Sequence, residues 1–121
     1  MRFARWVFTA AGLYGLVVLT PFLFVEAQVA APARQLAHPE YFYGFLLVAL
    51  AFQLLFLMIG RDPVRYRPLM IVSVIEKLPF GLVVPALWLQ GRVVAPVVVF
   101  SSIDLVWGLL FAVAYARTPR A

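Results

Sequence analysis

The sequence predicts an all-α fold: a single membrane domain over residues 1–121, built as an up-and-down bundle of four transmembrane helices. Hydrophobic residues make up 65% of the chain, more than a soluble protein of 121 residues would bury. They concentrate in four segments of about 20 residues, the length that crosses a hydrocarbon core. Because the connections between the segments are short, consecutive helices should be antiparallel neighbours.

The four predicted helices are separated by turn signals. The first has a basic start, as a cleaved signal peptide also would, but its apolar stretch of about 20 residues exceeds the usual length of about 7 to 15. Pro39 precedes the second segment, and Pro96 suits the first turn of the fourth. Pro63 and Pro68 mark the turn before the third, and only 26–40 forms a longer loop. The predicted spans are residues 6–25, 41–59, 69–89 and 95–115.

The distribution of arginines predicts the orientation of the bundle. Arg34 and Arg92 fall on one side of the membrane. The other side carries Arg2, Arg5, Arg61, Arg65, Arg67, Arg117 and Arg120. Because cytoplasmic loops carry the excess of Lys and Arg, both termini should be cytoplasmic in a multi-pass protein of the plasma (inner) membrane. The imbalance also argues against dual-topology insertion.

Charged and polar residues inside the spans form the candidate site. A charge within hydrocarbon costs about 2.5 to 3.5 kcal/mol on insertion scales, yet Glu76 and Lys77 are adjacent in the third segment. At 1.5 Å per residue they lie about 10 to 12 Å from the cytoplasmic end, with Gln53 at about 9 Å and Tyr14 at about 12 Å. Asp104, at about 16 Å, lies near the bilayer centre. We therefore predict a polar layer in the cytoplasmic half, where a ligand or a proton binds.

These residues also have purely structural interpretations. Lys77 can extend its stem toward the headgroups. Adjacent residues on a helix point about 100° apart, so Glu76 is expected to find a partner on another helix rather than Lys77. Asp104 must be protonated or paired, and Lys77 is its natural counter-ion, in which case a buried ion pair fixes the helix register. The hydrogen-bond partners available to the remaining carboxylate are Gln53, Ser73, Ser101 and Tyr14.

Two clusters of charged residues lie outside the spans, and each has a structural interpretation. His38 and Glu40 suit a helix start, although together with Glu26 they could hold a metal ion on the outer face. The basic turn 61–68 suits a topology determinant and a phospholipid contact, and alternatively a docking site for a protein or an anionic headgroup.

The composition narrows the chemistry that this chain can perform. The sequence contains no cysteine, which excludes disulfides and thiolate chemistry. The basic residues are scattered singly rather than in a stripe, so a nucleic-acid partner is not expected. No phosphate-binding glycine loop, metal-binding His pair or nucleophile elbow is present, and we predict no cofactor and no catalytic residue. A lipid or sterol isomerase, using a pair of carboxylates, is the weaker enzymatic alternative.

The stretch from His38 to Lys77 resembles a family of small, uncharacterised bacterial four-helix membrane proteins. The resemblance rests on HPEYFYGF, a glutamine in the second segment, RDPVRYRPLM, and EK in the third segment. It covers about a third of the chain and implies no particular activity. A looser similarity, in architecture and in the placement of acids, is to the emopamil-binding and sigma-2 receptor superfamily, which implies a four-helix core that binds sterols or amines.

Two hypotheses for function follow from the site. In the first, Glu76, Asp104, Lys77, Gln53 and Tyr14 line a pocket that binds a small hydrophobic or cationic ligand or couples protons. In the second, the buried charges only fix helix packing, and the protein is a structural or accessory subunit whose apolar faces meet another membrane protein or a second copy. In both, the lipid bilayer is the main partner. A void of about 300 to 1,000 Å³ that reaches both carboxylates would favour the first hypothesis.

Overall fold

The computed structural model describes residues 2–120 and confirms the all-α four-helix bundle. The chain forms α1 (Arg2–Leu19), a 3-10 turn (Thr20–Phe24), a short α2 (Glu26–Val29), α3 (Pro39–Arg61), α4 (Arg67–Leu89) and α5 (Ala95–Arg117). Four helical stretches are long and apolar enough to cross a membrane, since the 3-10 turn extends α1. The protein is therefore a multi-pass membrane protein.

The helices extend beyond the predicted apolar segments. Both α3 and α5 continue two residues further, ending on Arg61 and Arg117, and α4 begins two residues earlier. Polar residues at a helix end favour the solvated interface without breaking the helix, so an apolar count misses them. Pro79 and Pro85 lie inside α4, which remains continuous. At Pro21 the helix instead tightens into the 3-10 turn.

The bundle consists of two closely packed helix pairs, α1 with α3 and α4 with α5. Glycines permit the close approach. A Cβ on Gly12 would lie 2.8 Å from the backbone oxygen of Gln53, and one on Gly81 would lie 2.9 Å from Cβ of Leu105. The contact between α1 and α5 joins the two pairs, whereas α3 and α4 touch each other little.

The two halves of the bundle are packed differently. The basic end is the end at which α1 and α4 begin and α3 and α5 finish, and this half holds the core. Phe8 stacks on Phe111 with ring centres 4.2 Å apart, and Phe56 packs edge-on against Phe111 at 4.9 Å. All three rings are fully buried. The remaining core residues are Ala4, Val7, Ala11, Ile59, Met70 and Ala114. The half toward the far end, where the 26–38 segment connects α1 to α3, is hollow.

Candidate functional site

A cavity of about 390 Å³ occupies the half of the bundle toward the far end. All four spans contribute to its wall, which is mainly apolar and aromatic. The polar residues that line it are Tyr14, Gln53, Glu76, Lys77 and Asp104. The structure thus brings together the five residues that the sequence predicted as one site. The volume falls within the range of about 300 to 1,000 Å³ typical of ligand pockets.

The polar residues lie at the middle of the helices. Each is within three residues of the midpoint of its span. The prediction that this layer lies in the cytoplasmic half stays a prediction. Glu76, Lys77 and Asp104 separate the packed core from the cavity. Glu76 and Lys77 lie slightly nearer the basic end, and Asp104 lies slightly nearer the far end.

Lys77 is held between two carboxylates. Its Nζ donates a hydrogen bond to Oδ1 of Asp104 at 3.2 Å and lies 3.6 Å from Oε2 of Glu76. The Lys77 side chain is only 7% exposed, and its ammonium lies 5.4 Å from the centre of the Phe56 ring. The interpretation that Lys77 extends toward the headgroups is therefore wrong. The expectation that Glu76 finds a partner on another helix was wrong as well. Within residues 2–120 its one ion contact is with the adjacent Lys77, whose long stem reaches around the helix.

The other predicted hydrogen bonds to the carboxylates do not form. Gln53 Nε2 donates to the backbone oxygen of Ala49, and the Ser73 and Ser101 hydroxyls also donate within their own helices. Serine in a helix commonly bonds a carbonyl of the preceding turn, and a count of depth cannot anticipate that choice. Tyr14 instead packs against Trp107 of α5, with ring centres 5.9 Å apart.

Two buried oxygens that belong to residues lining the cavity have no hydrogen-bond partner within residues 2–120. They are Oε2 of Glu76 and Oε1 of Gln53. The 3.6 Å separation between Glu76 and Lys77 is an ion contact that is too long for a hydrogen bond. A buried polar group without a partner costs about 1 to 3 kcal/mol, more when charged, so a hydrogen bond to either oxygen would stabilise the bundle.

Aromatic residues form the walls of the cavity, and sequence reasoning did not identify them. Phe45 of α3 stacks on Phe80 of α4 at 6.4 Å between ring centres. Phe22 of the 3-10 turn meets Phe100 of α5 edge-on at 6.3 Å. In an apolar membrane helix, a phenylalanine that faces a cavity looks the same in sequence as one that faces lipid.

At the far end, Glu26 joins the connecting segment 26–38 to α3 through two hydrogen bonds. Its Oε2 accepts a hydrogen bond from the Leu36 backbone N–H at 2.9 Å, and its Oε1 accepts one from the Tyr43 hydroxyl at 3.0 Å. His38 pairs with Glu40 instead, at 3.2 Å. Across residues 2–120, no three His, Cys, Asp or Glu side chains come together to hold a metal ion. The structure therefore does not support the outer metal site.

Comparison with protein-family models, curated proteins and solved structures found no match to this chain. Its function must therefore be argued from the cavity.

Proposed function

We propose that this membrane protein binds a small hydrophobic monocation in the cavity, with Glu76 as the counter-charge. The observation that carries the proposal is Glu76, a carboxylate that lines an aromatic-walled void and whose Oε2 has no hydrogen-bond partner within residues 2–120. Phenylalanine faces suit the apolar body of such a ligand and attract a cation.

The charge of the site favours a cation over a neutral or anionic ligand. Two carboxylates and one ammonium give the ionised cluster a formal charge of −1. The shorter contact assigns Lys77 to Asp104, so Glu76 retains the excess negative charge. One positive charge on the ligand would neutralise the cluster, whereas an anion would raise the cost of burying it.

Proton coupling and a structural role are the competing functions. Glu76 could take up a proton in place of a cation, because one proton also neutralises the cluster. The 3.2 Å contact between Lys77 and Asp104 joins α4 to α5, as the hypothesis of internal packing requires. That hypothesis leaves the partnerless oxygens and the cavity without a role.

The test is a binding titration of the protein in lipid nanodiscs. The cationic probe is decyltrimethylammonium, and neutral decanol is the comparison ligand. We expect wild type to prefer the cation and Glu76→Gln to lose at least about tenfold of that preference, equivalent to about 1.4 kcal/mol. Glu40→Gln is the matched control, because that carboxylate is exposed and does not line the cavity.

Each result has a distinct meaning. If neither probe binds to wild type, the packing hypothesis is favoured. If proteoliposomes show a proton uptake that Glu76→Gln abolishes, without any cation preference, Glu76 is a proton site. If Glu76→Gln retains the full cation preference, Glu76 is not the counter-charge.

Orientation, location and family are part of the proposal. The arginine distribution supports cytoplasmic termini and insertion into a bacterial inner membrane. The motifs between His38 and Lys77 support membership of the small bacterial four-helix family. The buried acids support the looser similarity to the emopamil-binding and sigma-2 receptor superfamily.

A further inference from the structure

We propose that the bundle binds the phosphate of an anionic phospholipid at one corner of its basic end, where α1 begins and α3 finishes. This arginine corner comprises Arg2, Arg5, Arg61 and Arg65, and all four residues are exposed. The site lies outside the cavity and does not depend on the proposed ligand.

The fold brings these arginines together from different parts of the chain. The guanidinium of Arg5 donates a hydrogen bond to the backbone oxygen of Arg61 at 3.0 Å, which ties α1 to the last turn of α3. The backbones are close here, because a Cβ on Gly60 would lie 3.3 Å from the backbone oxygen of Arg5. Arg2 precedes Arg5 by three residues and therefore shares its helix face. Arg65 follows within the short turn to α4.

The positive charge of the arginine corner is not neutralised by nearby acids. Asp62 is the one acidic residue of the turn, and its Oδ1 accepts the backbone N–H of Arg65 at 3.4 Å. Within residues 2–120, no ion pair joins Asp62 to an arginine. Four arginines and one aspartate give a formal charge of +3. Arg5 has five guanidinium N–H donors and uses one of them to bind the backbone oxygen of Arg61, so its other donors remain available to an anion.

Two other arginines of the basic end, Arg67 and Arg117, make contacts within the protein. Arg67 donates from Nε to the backbone oxygen of Thr118 at 2.7 Å, and its guanidinium lies 3.9 Å from the centre of the Tyr115 ring. Arg117 lies 4.7 Å from the ring of Phe3. Arg65 has a longer contact, 5.5 Å to the ring of Tyr66, and remains exposed. Arg117 is exposed as well, so the anion site is assigned to the arginine corner because four arginines converge there.

A phospholipid phosphate fits the chemistry and the position of this corner. The planar guanidinium binds phosphate oxygens in pairs, which makes arginine a favoured phosphate ligand. The arginine corner lies at the ends of membrane-spanning helices, which is the depth of the headgroups. The acyl chains would then follow the exposed apolar surface of α1 and α3, including Leu13, Leu54 and Met58.

The test compares two double variants by native mass spectrometry of the full chain titrated with phosphatidylglycerol and phosphatidylcholine. At about fivefold per arginine, Arg61→Gln with Arg65→Gln should reduce the preference for phosphatidylglycerol about 25-fold. Arg67→Gln with Arg117→Gln is the matched control, with the same loss of charge at the same end. It should retain the preference but melt at a lower temperature.

Three outcomes would overturn the proposal. The first is an unchanged preference in the Arg61 and Arg65 variant, and the second is an equal loss in both variants, which would indicate general attraction to the basic end. The third concerns the source of the phosphate. If inorganic phosphate competes with phosphatidylglycerol at equal concentration, the site binds a free anion rather than a lipid.

Discussion

Replacing Lys77 by methionine tests the central electrostatic argument. Methionine keeps an unbranched stem of similar length but removes the ammonium that lies 3.2 Å from Asp104 and 3.6 Å from Glu76. Removing one partner of a buried pair costs about 3 to 5 kcal/mol, because the other charge is left unpaired. Here two carboxylates lose their partner, yet both line the cavity, where water can enter. We therefore expect a loss near the lower limit, about 3 kcal/mol.

Asp104→Asn should be milder, because Lys77 keeps Glu76 as a second partner. Losing the one hydrogen bond to a charged group predicts about 1.5 to 3 kcal/mol, and the second partner favours the lower value. Reversible unfolding in mixed detergent and lipid micelles measures both free energies. If Lys77→Met costs less than about 1 kcal/mol, or if Asp104→Asn costs as much as Lys77→Met, Lys77 does not bridge the two carboxylates.

Two further predictions concern helix packing and the far end. Gly81→Ala should lower the free energy of unfolding by about 1 to 3 kcal/mol, because the new Cβ would lie 2.9 Å from Leu105 Cβ. A Cβ on Gly44 meets open space, so Gly44→Ala should raise the free energy of unfolding by about 0.5 to 1 kcal/mol. Equal effects of the two substitutions on that free energy would contradict the packing argument. Glu26→Ala removes the acceptor of the Leu36 N–H, so exchange of this amide should accelerate about tenfold or more, as a charge-assisted hydrogen bond predicts. Tyr43→Phe is the control variant and should accelerate exchange less, because Glu26 still accepts the hydrogen bond from the Leu36 N–H. An unchanged exchange rate in Glu26→Ala would show that Glu26 does not hold the segment 26–38 in place.

The fold was predictable because hydrophobicity, length and turn signals all specify the same four helices. The residues of the candidate site were predictable for a related reason, since a charge within an apolar span stands out. Their depth in the bilayer stays a prediction, although each lies within three residues of the midpoint of its span. The hydrogen-bond partners were not predictable, because the hydroxyls of Ser73 and Ser101 donate to backbone carbonyls of their own helices.

The cavity walls and the arginine corner depend on which residues of different helices face each other. Phe45 and Phe80 carry no sequence signal that distinguishes a cavity from lipid. Arg5 and Arg61 are 56 residues apart, and only the close packing of α1 on α3 joins them. Pairings of this kind are set by tertiary contacts rather than by local sequence.

The unequal packing of the two halves has a volumetric consequence. Pressure favours states with less internal void, and the 390 Å³ cavity lies on one side of the charged layer. Compression should therefore act first on the hollow half, while the stacked rings of Phe8 and Phe111 resist it. Under pressure, the far end of the bundle would deform while the packing of the basic end stayed unchanged.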